Sequence, residues 1–169
     1  MRAVGRAAHA GLEPERGVNA TIELAHQVLA VAGLSDAALG TTVTPTALSS
    51  GTVTNTVPAS GAFSVDVRMR DVDEQARVHA AMSSLLPAVP DALLEISGGP
   101  NRPPLPESAS ARLFARASSI AASLGLPPLT SASVGGASDG NFTAGAGTQT
   151  LDGLGAVGGG AHADHEHVL

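Results

Sequence analysis

The sequence predicts an α+β protein. A ferredoxin-like βαββαβ domain, with two helices on one face of a four-stranded antiparallel sheet, is followed by an incomplete α/β segment. Three observations carry this. Phe63, Val65, Val67 and Met69 alternate with Ser64, Asp66, Arg68 and Arg70, the period-two pattern of a half-buried strand. Apolar residues recur at helical spacing in Gly17–Ala32 and again after Asp73. The run Gly98-Gly99-Pro100-Asn101-Arg102-Pro103-Pro104 then breaks the chain, dividing residues 1–98 from 99–169.

The elements follow in order. Arg2 to Ala8 is strand-like. In the first helix, Val18, Ile22, Ala25, Leu29 and Ala32 form a stripe that ends at Gly33. Thr41 to Leu48 is rich in Thr and Val and reads as a strand, paired with the alternating one. Asp71 and Asp73 are cap residues for a second helix whose Val78, Ala81, Met82 and Leu85 share a face. Leu93 to Ile96 closes the β-α-β-β-α-β order of a split βαβ unit. Beyond the Gly/Pro break, one helix spans about Ala109 to Leu124, with Leu113, Ala117, Ile120 and Leu124 on one stripe. Gly125 and Pro127-Pro128 stop it. The remainder is Gly-rich and cannot close a core alone.

Composition narrows the function. The chain has 169 residues, 43% hydrophobic but only 2% aromatic, so its core is aliphatic and modest in buried area. Net charge is −6 and the nine basic residues are scattered, which excludes a nucleic-acid surface. With no cysteine, any metal must be held by His, Asp or Glu. No apolar run approaches the roughly 18 residues of a membrane span. No leader-like apolar segment follows Met1, and the cytoplasm is the favoured compartment.

Five short motifs carry candidate chemistry. His9, in Ala8-His9-Ala10-Gly11, stands where a strand gives way to a loop. It is either a solvated histidine or a donor aimed at a developing oxyanion. Asn55, in Asn55-Thr56-Val57-Pro58, is either turn chemistry or an amide donor to a carbonyl or carboxylate. Arg102 presents a planar fork that matches a carboxylate, unless it is only an exposed linker residue. Gly135-Gly136-Ala137-Ser138-Asp139-Gly140-Asn141 is a tight turn or an anion-binding nest, without the Lys-Ser/Thr of a phosphate loop. His162-Ala163-Asp164-His165-Glu166-His167 is a frayed polar terminus or a metal-binding tract.

Taken together and in this order, the motifs resemble the zinc exopeptidase and deacylase family. That family includes glutamate carboxypeptidase, aminoacylase, acetylornithine deacetylase and succinyl-diaminopimelate desuccinylase. The stretch His9-Ala10-Gly11 through Pro14-Glu15-Arg16-Gly17-Val18-Asn19-Ala20 is similar to the start of its lid, or dimerisation, domain. Asn55-Thr56-Val57-Pro58 and Asp66-Val67-Arg68 resemble the lid's strand pair. The Gly-Gly-Ala-Ser-Asp-Gly turn and the closing Gly-Gly-Gly-Ala-His-Ala-Asp-His-Glu resemble the C-terminal part of the catalytic domain.

The resemblance implies hydrolysis of an amide next to a free carboxylate, in a peptide or an N-acyl amino acid, by a homodimer. His9 would stabilise the oxyanion in a neighbouring subunit's site. Asn55, Arg102, backbone N–H groups around Gly136 and, as a weaker candidate, Arg68 would hold the substrate. His162 would be a zinc ligand, with His165 and His167 structural. Such a site needs two zinc ions about 3.5–4 Å apart. The family's other ligands and its general base precede the lid and are not in this sequence. The chain therefore reads as a fragment, inactive by itself. The alternative is a non-catalytic ferredoxin-like dimerisation or ligand-binding module.

Overall fold

The computed structural model describes residues 1–169. It divides into two units, Met1–Pro103 and Pro104–Leu169. The first contains β1 (Arg2–Val4), α1 (Ala20–Ala32), β2 (Thr42–Ser50), β3 (Ser60–Arg68), α2 (Val72–Ser83) and β4 (Leu93–Glu95). The sheet order is β2-β3-β1-β4, and every neighbouring pair is antiparallel. This is the expected split βαβ topology: β3 lies between β1 and β2, the strands that α1 connects.

One face of the sheet makes the core. Ala3 of β1, Val43 of β2 and Phe63 of β3 cluster with Ala20, Leu24 and Val31 of α1 and Val78 of α2, so both helices cover the same face. The alternation in β3 holds: Phe63 is buried, while Ser64, Asp66 and Arg68 face solvent. Gly61 lies directly beneath α1, where an added Cβ would stand 2.7 Å from Leu24 Cδ1. The face predicted for α2 is also the one observed, with Val78 buried and Met82 and Leu85 packed against the core.

The face predicted for α1 is not. Ile22, Ala25, Leu29 and Ala32 are exposed, and the helix buries Ala20, Leu24 and Val31 together with Glu23 and Gln27. Apolar residues surround most of this helix, so periodicity does not choose a face; two polar side chains with internal partners do. Glu23 is completely buried and accepts from Gln27 Nε2 at 2.7 Å and from the backbone N–H groups of Ala88 and Val89 at 2.9 and 2.7 Å. The carboxylate thereby anchors the segment that leads into β4. The helix also begins at Ala20, after Asn19, whose Oδ1 accepts from the N–H groups of Thr21 and Ile22.

A second buried carboxylate ties α2 to the sheet. Glu74 accepts from Thr41 Oγ1 at 2.6 Å and from Arg77 Nε and Nη2 at 2.6 and 2.7 Å. Arg77 Nη2 also donates to Leu34 O at 2.9 Å. Arg77 and then Thr41 hold the Glu74 carboxyl down to about 2.

The second unit contains α3 (Glu107–Ser123), α4 (Gly140–Gly145) and a hairpin of β5 (Gly158–Gly159) with β6 (His167–Val168). Gly125, at φ 69°, closes α3, and Leu126 N–H returns to Ala121 O at 3.0 Å. Along the predicted stripe of α3, Leu113 and Ala117 are half-buried, whereas Ile120 and Leu124 are exposed. No helix is long and apolar enough to cross a membrane.

Candidate functional site

β1 is shorter than expected, but its direction continues. Beyond Val4 the chain runs antiparallel to the segment that leads into β3. Gly5 N–H donates to Ala59 O at 2.8 Å, Val57 N–H to Ala8 O at 2.9 Å, and Ala10 N–H to Asn55 O at 2.9 Å. His9 stands opposite Thr56. The result is a two-stranded finger near whose tip His9 stands opposite Thr56 and Asn55 opposite Ala10, with His9 and Asn55 both exposed.

The residues after His9 fix the finger in place. Leu12 and Glu13 N–H groups fold back onto His9 O, and Pro14–Arg16 makes one turn of 3₁₀ helix. Arg6 pairs with Val18 through both backbone bonds, and Arg6 Nε donates to Arg16 O at 2.7 Å. Gly17 is required by close approach: a Cβ there would stand 2.8 Å from Val57 Cγ1. Val18 and Val57 are buried, Asn19 caps α1, and Ala20 N–H donates to Pro58 O. The Gly-Val-Asn-Ala run is thus the joint that fastens the finger to α1.

The ring of His9 is oriented locally. Gly11 N–H donates to His9 Nδ1 at 3.1 Å. With Nδ1 accepting, the neutral imidazole carries its proton on Nε2 and presents a donor away from the loop. This gives the His-Ala-Gly spacing a physical reason: the residue two places on sets the tautomer. Beside the finger lies a small cavity of ≈ 160 Å³, lined by Ala7, Thr52, Val53, Thr56, Val57 and Pro58 among others.

The other candidates lie elsewhere. Arg68 is on the outer face at the far end of β3, about 25 Å along the strand from its finger end. It grips Asp66 through two bonds of 2.6 and 2.8 Å, which holds the Asp66 carboxyl below its ordinary range. Arg102 is half-buried, and its carbonyl accepts from Gln75 Nε2 of α2 at 2.9 Å. That bond keeps the segment after β4 on the first unit.

Gly136 and His162 belong to the second unit. Gly136 is exposed, in the turn before α4. The turn is organised by Ser138, whose Oγ accepts from Gly140 N–H at 3.0 Å and donates to Asp152 Oδ2 at 2.5 Å. Ser138 Oγ and then Gly153 N–H lower the Asp152 carboxyl below its usual range. Sequence reasoning missed Asp152, because it lies 14 residues from Ser138 with no local pattern joining them. His162 sits in the β5–β6 loop at φ 64°, and its N–H donates to Glu166 Oε2 at 3.2 Å. His167 Nδ1 lies 3.1 Å from His165 O.

As a donor set for zinc this does not suffice. His162 supplies one imidazole, and no three His, Asp or Glu side chains converge on a metal-holding position. A structural zinc site takes four protein ligands and a catalytic one three. The residues present do not hold a zinc pair.

The family model described as the peptidase dimerisation domain matches residues 1–92, which contain the finger, α1, β2, β3 and α2. The chain belongs to this family. The match bears out the family expected from the motifs. Carboxypeptidase G2 of Pseudomonas sp. (strain RS-16) is 41% identical over 64 residues, 38% of this chain and 15% of that protein. Among solved structures, a Staphylococcus aureus tripeptidase superposes with a TM-score of 0.60 at 24% identity, covering 98% of this chain and 44% of the tripeptidase. The aminopeptidase PepT of Bacillus cereus gives 0.59 at 24%, covering 88% and 40%. These two likenesses are likenesses of fold. The chain spans less than half the length of each of these relatives.

Proposed function

We propose that this peptidase dimerisation domain and the segment after it serve a zinc-dependent amidohydrolase or carboxypeptidase. That enzyme cleaves an amide next to a free carboxylate, working as a homodimer through this domain. The observation that carries the reading is the oriented His9. An imidazole whose Nδ1 is occupied by Gly11 N–H offers Nε2–H to a partner beyond the loop. A neutral donor placed where negative charge develops stabilises the transition state more than the substrate. Asn55, on the same finger, is suited to the substrate carbonyl or carboxylate.

The remaining roles follow from side-chain chemistry. Arg102 binds the substrate carboxylate, with Arg68 as the weaker candidate because Asp66 already engages it. Backbone N–H groups about Gly136 add to carboxylate binding. His162 contributes one ligand to a metal centre whose other ligands lie outside this chain.

By itself the chain is then inactive and binds zinc weakly. The test is hydrolysis of an N-acyl glutamate by the purified chain, with and without chelator. No chelator-sensitive turnover is the expected result. Turnover that chelator abolishes would overturn the division of the site proposed here.

A further inference from the structure

The segment that joins β2 to β3 through the finger is uncharged. From Gly51 to Ser60 no residue bears a charge. Gly51 turns the chain at φ 74°, in the left-handed region that favours glycine. A Cβ there would stand 3.4 Å from Pro58 Cγ, so the loop folds closely over Pro58. Gly51 N–H donates to Ser60 O at 3.4 Å and closes the loop at its base.

This folding shapes the cavity of ≈ 160 Å³ beside the finger. The loop contributes Thr52 and Val53 to its wall. One finger strand contributes Thr56, Val57 and Pro58, and the other contributes Ala7. No charged side chain lines it. Val57 is buried, whereas Val53 is 57% exposed.

The cavity adjoins His9. Val57 N–H donates to Ala8 O and Ala10 N–H donates to Asn55 O, so His9 and Thr56 form the non-hydrogen-bonded pair between those bonds. The side chains of such a pair leave the same face of the ladder, from Cα atoms about 4.5 Å apart. Thr56, which lines the cavity, is therefore the cross-strand neighbour of the His9 side chain.

Size and chemistry define the occupant. A dry cavity of about 150 Å³ accepts a guest as large as benzene. An uncharged wall suits an apolar group, and a charged group placed there would lose hydration without gaining an ionic partner. Resting on the reading of His9 as the oxyanion donor, we propose that this cavity is a specificity pocket of the hydrolase. It receives a compact, uncharged apolar substituent flanking the scissile amide, no larger than a phenyl ring. The substituent belongs either to the acyl group or to the amino acid with the free carboxylate, and the pocket chemistry is the same for both. Val53 limits the pocket from the loop side.

The test is heteronuclear NMR of the labelled full chain, titrated with N-acetylvaline, isobutyrylglycine and N-acetylaspartate. The first two carry the same isopropyl group on opposite sides of the amide; the third carries a carboxymethyl group instead. At least one isopropyl ligand is expected to give saturable shifts at the Thr52, Val53 and Thr56 amides and at the His9 ring. Which of the two does so assigns the side of the amide. N-acetylaspartate is expected to bind at least about tenfold more weakly. Val53→Trp, which fills the cavity, should abolish the shifts at Thr52 and Thr56 with the rest of the spectrum native, and Val53→Ala should keep them. Absence of pocket shifts with both isopropyl ligands overturns the proposal. So does N-acetylaspartate binding as tightly as either, or a Val53→Trp chain that binds like the wild type. None of these readouts needs zinc or turnover, so such a failure leaves the hydrolase reading standing.

Discussion

Two side chains show how single residues set this structure. Glu23 is a carboxylate without solvent exposure, tolerated because three donors converge on it from α1 itself and from the segment before β4. Removing it leaves those donors without their partner, a loss of roughly 1–3 kcal/mol. Glu23→Ala should lower the urea midpoint of the chain accordingly. A midpoint unchanged within error would mean that the Ala88–Val89 segment is held by something other than this carboxylate. The His9 ring is oriented while exposed, not fixed by burial. The Gly11 N–H bond to Nδ1 ties the ring to its own loop and leaves Nε2 to carry the proton. Residues of this kind are legible in the sequence when the partner is two places away, as in His-Ala-Gly. They are not when the partner is remote, as Asp152 is from Ser138.

At the scale of elements, the strand β3 and the helix α2 could be read directly, since each separates apolar from polar residues cleanly. The helix α1 could not. Its Ile22–Ala25–Leu29–Ala32 stripe has the right spacing, but the buried face is chosen by Glu23 and Gln27, whose partners lie more than 50 residues away. The finger was visible only as two separate motifs, because the pairing of His9 with Thr56 is a tertiary fact. The joint between α2 and β2 carries a prediction in pH. Glu74 is held to about 2 in the folded chain, against 4.5 for the unperturbed group. A depressed carboxyl contributes stability that is present above the unfolded value and lost as pH falls through the folded one. Stability should therefore decline from about pH 4.5 toward pH 2. Glu74→Gln should flatten that part of the urea-midpoint profile; an identical acid limb in the variant would place the loss in other carboxylates.

At the scale of the whole molecule, each of the two units carries its own candidate residues. The first holds the finger with His9 and Asn55, and Arg102 close to its end; the second holds the Ser138–Asp152 turn near Gly136 and the loop of His162. The family match takes in the finger, and the proposed role of His9 in a hydrolytic transition state stands or falls with that domain. The direct measurement uses a chimaera in which the first unit, Met1–Pro103, replaces the matching domain of carboxypeptidase G2. In that background His9→Ala is compared with the unmutated chimaera by steady-state kinetics and zinc content. The expected result is a fall in kcat of roughly 10²–10³, with KM little changed and zinc retained, as loss of an oxyanion donor does. Full activity in the His9→Ala chimaera would contradict it.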